Sequence, residues 1–541
     1  MISRNAISRT AILPLAVIVG VASVISFAAR NRLTTGPVVA AHDDGLTDVV
    51  ETIDQHLEAH WTADELTPAK SVGDLHILRR LSLALHGTIP SLEEIRRFEA
   101  DTAPHRMQRW TTEMLADTRF ADYFAERLAR GFVGVEGGQF VVYRRGHFVN
   151  WLAGELAENK PYDEIVRTII ASKGRWTDTP ATNFVTAAIA SGDIDENKLA
   201  GRTVRAFLGQ RIDCAQCHDH PFVDAWKQSH FEGLAAQFGQ AELTAFGVED
   251  RSHRKYEIED GEPPEKRTVK PGVPFHPEWL PKKGTRRERL AGWVTHPQNR
   301  RFERAIANRV WGLMFGRPFN APVDDLPDPG DPTKPDVLDL LGADFRAHGC
   351  DLRRLIRVIA ATRAFRLDSV HSAADDATWE QLEKTWAVFP MTRLRPEQVI
   401  GSMLQAASLR TIDRNSHLIV RLIRLLRENQ FVKEYGDLGE SELDEQAGTI
   451  PQALLRMNGK LSRDTTAVNI LNASGRISAF AQSDEQTLET IFLVCLTTRP
   501  SATLRSHFLR ELKKVQGEPH RRVIEDVFWD LFNSEGFSWN H

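Results

Sequence analysis

Leu75, Leu78, Leu81 and Leu85, closed by Gly87, set the pattern that most restricts what this chain can become. Apolar residues three and four positions apart share one face of an α-helix, and a glycine just beyond the last of them stops it. The device recurs along most of the sequence. Ser91-Leu92-Glu93-Glu94 is a capping box that opens the next helix. Amphipathic segments follow at Trp110–Leu115, Phe120–Leu128, Phe148–Leu156, Ile165–Ile170 and Leu199–Leu208, and Trp226–Phe238 reads as another helix. Further on, Leu290–Val294 and Phe302–Phe315 are apolar and helical, and Val337, Leu338, Leu341 and Phe345 line a helix that stops at Gly349. Asp351 caps the next helix, Pro396 opens another, and Ser483 caps one carrying Leu488, Ile491 and Phe492. The expected fold class is mainly α.

One stretch breaks the pattern. From Gln240 to Gly284 the sequence is charged and proline-rich, with short extended pieces at Tyr256–Ile258 and Thr268–Lys270. It predicts an irregular linker with at most a small β-hairpin, separating a helical domain over 46–239 from a second over 285–541. Within the second, the acidic loop from Val323 to Pro332 lacks the ligand spacing and closing glutamate of an EF-hand, so it reads as a solvated turn. Arg286-Arg287 and Arg300-Arg301 read as solvated basic faces.

Composition excludes some functions. A net charge of −5 over 541 residues, with no basic stripe, argues against nucleic acid as a partner. Neither a phosphate-binding glycine loop, nor a dinucleotide fingerprint, nor a serine–histidine–aspartate signature is present. Four cysteines are too few for a disulfide-stapled fold, and Cys350 and Cys495 sit at apolar helical positions as small core fillers.

The other two cysteines fall in Cys214-Ala215-Gln216-Cys217-His218, continued by Asp219-His220-Pro221-Phe222. Cys-x-x-Cys-His is the attachment sequence of a c-type haem: two thiols for the vinyl groups and an imidazole for the iron. Placed on one helical turn, Cys214, Cys217 and His218 project from one side. Cofactor binding is therefore expected at Cys214, Cys217 and His218, with one haem c at most. The alternatives are zinc, with His218 or His220 as a non-haem ligand, and a redox dithiol or a disulfide. His230 lacks the second histidine that would complete a zinc finger. Met314, Met391, Met403 and Met457 are present as distal ligands in principle, but lone methionines at helical spacing usually belong to the core.

The N-terminal segment predicts export of the chain's body. Arg4 and Arg9 precede an uncharged, apolar run from Thr10 to Ala29, close to the length that spans a bilayer, and small-residue cleavage sites end at Ala28 and Ala41. Residues 1–41 are expected to act as a signal peptide or N-terminal membrane anchor, leaving the body periplasmic or in the cell envelope.

With these residues in view, the chain resembles the planctomycete-type paired domains of unknown function, a cytochrome-like domain (PSCyt) followed by a companion (PSD). In the first domain the resemblance rests on Ile77–Leu81, Asn159–Asp163 and Phe207-Leu208-Gly209 leading into Cys214–Phe222. In the second it rests on Asn308–Trp311, Phe315-Gly316-Arg317, Val323-Asp324-Asp325, Arg395–Gln398, Ile450–Leu454 and Asn533-Ser534. It implies an exported, cytochrome-like protein, commonly accompanied by a secreted sulfatase-like partner, with no reaction established. Two places depart from the usual pattern. Asp-Leu-Thr-Gly reads Ala84-Leu85-His86-Gly87, and Trp-Leu-Asp with Ala-Arg-Tyr reads Leu128-Ala129-Arg130 with Phe132-Val133-Gly134. The expected function is electron transfer or redox support at the envelope with a redox or envelope partner. The alternative is a structural or interaction protein with zinc or a disulfide at the motif.

Overall fold

A computed structural model describes residues 45–136, 143–190, 192–219, 226–260, 265–371, 375–413, 416, 431–439, 443, 449–469 and 472–541. The N-terminal segment 1–41 lies outside the described residues, and no described helix is long and apolar enough to cross a membrane.

The fold is mainly α. Helices α1 (Leu46–Ala63), α2 (Asp74–His86), α3 (Leu92–Ala100), α4 (Arg106–Ala116), α5 (Thr118–Val133), α6 (Arg145–Ala157) and α7 (Tyr162–Ala171) come first. A two-residue hairpin, β1 (Ile189–Ala190) with β2 (Asp193–Ile194), precedes α8 (Glu196–Leu208) and α9 (Gln228–Phe238). After the hairpins described below come α10 (Arg286–Val294), α11 (Arg300–Phe315), α12 (Val337–Ala347), α13 (Leu352–Ala361), α14 (Asp376–Lys384) and α15 (Pro396–Ala406). The last group is α16 (Ile450–Asn458), α17 (Lys460–Thr466), α18 (Ala473–Phe480), α19 (Asp484–Leu496), α20 (Ala502–Lys513) and α21 (Glu518–Asn533). The punctuation works as the residues require. Gly87 closes α2 at φ 68°, Ser91 and Glu94 form the reciprocal capping box of α3, and Asp351 accepts from the backbone of Arg353 and Arg354 at α13.

The stretch 240–284 is more ordered than its composition suggests. It holds two antiparallel hairpins, β3 (Ala241–Thr244) with β4 (Gly247–Asp250) and β5 (Glu257–Asp260) with β6 (Glu265–Thr268). Its Val248, Tyr256 and Val269 enter the same hydrophobic core as Leu57 of α1 and Ile356 of α13. Packing is therefore continuous across it. The reason is partly Arg287, which lies fully buried at the start of α10 rather than on a solvated face. Its Nε donates to Asp250 Oδ1 at 2.8 Å, and one terminal nitrogen donates to the carbonyls of Ile170 (3.1 Å) and Ser172 (2.8 Å). That guanidinium ties β4, the end of α7 and α10 together. A second core gathers α15, α18, α19, α20 and α21 around Ile400, Ile491, Leu512 and Phe528.

Helix α11 is the axis of the larger core. Every residue from Phe302 to Phe315 is buried, including Arg304, Asn308 and Arg309. Such polar groups are tolerable only when satisfied. Arg304 clasps both oxygens of Asp336 at 2.7 and 2.9 Å. Asn308 closes the following turn by donating to Asn320 O (2.8 Å) and accepting from Asn320 N–H (2.9 Å). Around α11 pack α2, α8, α12 and α13.

Candidate functional site

Helix α8 carries the chain to the cysteines. Leu199, Val204, Phe207 and Leu208 bury its inner face, and Gly209 ends it in the left-handed region at φ 64°, ψ 40°. Glycine is required there twice over. A Cβ would also stand 3.0 Å from Leu326 Cδ1 and 3.2 Å from Ala305 Cβ of α11. Past this point the acidic loop grips the chain. Leu326 N–H donates to Gly209 O at 2.6 Å, Gln210 Nε2 to Asp328 Oδ1 at 2.8 Å, and Arg211 to Asp325 Oδ1 (3.2 Å, backbone) and Asp324 Oδ1 (2.9 Å, Nε). The aspartates read as a solvated turn are instead a latch on the approach to the motif. Their partners lie more than a hundred residues upstream, beyond the reach of any local pattern.

The motif itself is a 3₁₀ turn, Asp213–Gln216, not a turn of α-helix. In a 3₁₀ turn residues three apart eclipse. Ile212 and Ala215 accordingly point inward, both fully buried, while Cys214 and Cys217 are exposed as free thiols. His218 follows outside the turn. Its Nδ1–H donates to the Asp219 carbonyl at 2.7 Å. A carbonyl can only accept, so this bond fixes the tautomer and leaves the Nε2 lone pair facing away, the arrangement of a ligating imidazole. Asp219 Oδ1 accepts from Gln228 N–H at 2.9 Å, and Gln228 Nε2 donates to Gln216 O at 3.4 Å. The turn is thus clamped between α8 and the first residue of α9.

These residues fit covalent haem attachment in their chemistry: two reduced thiols spaced three apart, and an imidazole whose Nε2 is free. His220 lies outside the described residues. Among the described residues no three histidine, cysteine, aspartate or glutamate side chains converge as a metal-ligand cluster. His230 is occupied at the start of α9, where its Nδ1 accepts from Lys227 N–H at 3.3 Å. Cys350 and Cys495 are buried, as expected of fillers, and burial raises both thiols, Cys350 to about 11. Met314 and Met403 are core residues, while Met391 and Met457 are partly exposed.

The two departures from the resembled pattern are both structural features here. His86 is buried at the end of α2, donating Nε2–H to Met114 O at 3.0 Å while its Nδ1 has no hydrogen-bond partner. Burial, with Arg119 nearby, pushes its pKa down to about 4. Arg130, also buried, pairs with Glu126 at 3.3 Å and with Asp437. Neither residue stood out to sequence reading as more than a mismatch, because nothing local marks a buried histidine.

Comparison with known families matches residues 52–242 to PSCyt2, a protein of unknown function (DUF1549), and residues 286–420 to PSD1, a protein of unknown function (DUF1553). The two stretches stand in that order and together take in more than half of the chain. The chain belongs to this family of paired domains. The PSCyt2 match ends within β3 and the PSD1 match begins at the first residue of α10, and the PSCyt2 part contains the whole cysteine turn. Neither description names an activity. Comparison with curated proteins and with solved structures gives no match.

Proposed function

We propose that this PSCyt2–PSD1 protein is an exported c-type haem protein of the cell envelope, serving electron transfer or redox support. Cys214 and Cys217 would form the thioethers and His218 Nε2 would ligate the iron. The observation that supports this reading best is the pair of exposed, free thiols on one side of a clamped turn, followed by an imidazole of fixed tautomer. Bound haem supplies one-electron chemistry. The chain's own residues hold the attachment turn rigid: the Asp324–Asp328 latch, Gly209 and the Asp219–Gln228 bond limit where the two sulfurs can move. Translocation through residues 1–41 would place the body where haem maturation occurs, with a redox or envelope protein as partner.

The exposure of both sulfurs favours one second reading, in which the turn holds zinc or closes as a disulfide in an envelope interaction protein. One experiment separates the two. The chain is expressed with a haem-maturation system and run on a denaturing gel stained for haem peroxidase activity, beside a pyridine haemochrome spectrum. Covalent haem survives denaturation, and the Cys214→Ala/Cys217→Ala variant loses the stain. A colourless wild-type protein carrying stoichiometric zinc overturns the haem reading.

A further inference from the structure

A cavity of about 550 Å³ opens at the other end of α11, where the two hydrophobic cores meet. Its walls come from segments far apart in the sequence: Gly316-Arg317 just past α11, the run Pro390–Pro396 entering α15, Tyr435, Gln452 of α16, and Trp539-Asn540. The size suits a small organic molecule. Among the described residues the charge is one-sided, since the lining holds Arg317, Arg393 and Arg395 against a single acidic residue, Glu383.

The backbone explains why arginines gather there. Strand β7 (Thr392–Arg393) pairs antiparallel with β8 (Trp539–Asn540), Arg393 opposite Trp539. Leu394 continues the extended chain, its N–H donating to Ser538 O at 2.9 Å, and is buried in the second core. The extended run from Thr392 to Pro396 thus borders the cavity, and Arg393 and Arg395 are among the residues lining it. Gly316, at φ 85°, lets the end of α11 lie directly against Thr392, which holds the strand in place.

The arginines differ in how they are answered. Arg395 bonds the Tyr123 hydroxyl at 2.5 Å and pairs with Glu397 at 3.3 Å. Arg317 donates to the backbone carbonyl of Glu383 at 2.6 Å and lies over the Trp386 ring. Arg393, half-buried, donates to the neutral amide oxygen of Gln452 at 3.1 Å. Close behind it, Arg456 is buried, with its guanidinium on the Ser538 hydroxyl and its Nε without a hydrogen-bond partner. Burial lowers the Arg456 pKa below the usual guanidinium range; Tyr435 opposes this, and the nearby charge of Arg393 adds to it. Two guanidiniums met by an amide and a hydroxyl leave a positive field over an apolar-walled recess, where a bound anion is worth far more than at an open surface.

We propose that this cleft is a binding site for a small organic anion, a carboxylate or sulfate-type group on an apolar body, with Arg393 as its principal contact and Trp539 and Met391 lining the apolar part. The proposal is independent of any cofactor at the cysteine turn.

The test uses 2-naphthalenesulfonate as probe, with neutral 2-naphthalenemethanol and cationic 2-naphthylmethylammonium as controls, titrated calorimetrically into the full chain. The sulfonate binds, inorganic sulfate competes with it, and both controls bind at least about tenfold more weakly, the worth of one charged hydrogen bond. Arg393→Gln weakens sulfonate binding by about tenfold or more without lowering the thermal midpoint, whereas Arg521→Gln, an exposed arginine that does not line the cleft, leaves it unchanged. Should Arg393→Gln lower the midpoint, Arg393→Lys, which keeps a cation at the same place, must retain the sulfonate binding that Arg393→Gln loses. Equal binding of all three probes, no sulfonate binding at millimolar concentration, or unchanged binding in Arg393→Gln overturns the proposal.

Discussion

Acidification gives a direct measure of how tightly the larger core excludes charge at His86. The ring is buried at the end of α2 with one nitrogen bonded to Met114 O and the other unpartnered, beside an Arg119 already held by Glu94 (2.5 Å) and Asp117 (2.8 Å). Burial first, and Arg119 second, lower its pKa from 6.5 to about 4. In the unfolded chain it titrates near 6.5, so below that value the unfolded state takes up a proton that the folded state refuses. The folded state is thus favoured fully above pH 6.5, and this advantage is lost as pH falls toward 4. Worked between pH 7 and pH 4.5, one such group costs about 2.5 kcal/mol of stability. His541, pushed down to about 4 mainly by burial, adds a share of its own. The comparison must therefore be between wild type and His86→Gln, which keeps a donor for Met114 O but cannot titrate. Urea unfolding at the two pH values should show the variant losing about 2.5 kcal/mol less than wild type. Equal losses would refute the account of His86 as a neutral, desolvated imidazole.

Further substitutions probe the helix end before the cysteine turn and the buried ion pair behind the hairpins. Gly209→Ala should cost about 1–2 kcal/mol for its left-handed backbone and about 1 kcal/mol more for the overlap with Leu326 and Ala305. Gly349→Ala, with φ 68° and open space at its Cβ, should cost the first part alone, so equal thermal shifts for the two would count against the close approach. Arg287→Met should destabilise by about 3 kcal/mol because it leaves the buried carboxylate of Asp250 with only the more distant Lys173 at 3.5 Å, and adding Asp250→Leu should recover part of that loss. A double variant as unstable as the sum of the singles, read from denaturant midpoints, would show the pair is not the unit.

Much of the helical frame was legible because it is written in short-range chemistry. The α2 leucines with Gly87, the Ser91–Glu94 box, Asp351 and Pro396 each act on residues within a turn or two of themselves, and each does so here. What could not be read depends on partners distant in sequence. Arg287 looks solvated until Asp250 and the carbonyls of Ile170 and Ser172 at the end of α7 close around it, and Asp324 and Asp325 look like a loop until Arg211 arrives from the other family domain. The 240–284 stretch looks like a linker because its apolar residues are scattered among charges and prolines, yet Ala241, Val248, Tyr256 and Val269 are core residues. The motif was legible as chemistry but not as shape. Its α-turn became a 3₁₀ turn because Ile212 and Ala215, three apart, are the pair that packs inward.

The cysteine turn and the arginine cleft share one helix and no side chain. Ala305 touches Gly209 at the entry to the turn, and Gly316 ends α11 at the cleft, so by helical rise the two lie about 16 Å apart along a fully buried axis. Helix α11 is fixed at several points, by Arg304 on Asp336 and by Asn308 on Asn320, so it carries position between the sites while neither depends on the other's chemistry. This separation makes a crossed prediction. Arg393→Gln should abolish most sulfonate binding and leave the haem stain at Cys214 and Cys217 at wild-type intensity. The Cys214→Ala/Cys217→Ala variant should lose the stain and bind the sulfonate as wild type does. If removing the thiols weakened sulfonate binding, the cleft would have to be reinterpreted as part of one continuous site reaching the turn, and the rigid separation argued from α11 would fail.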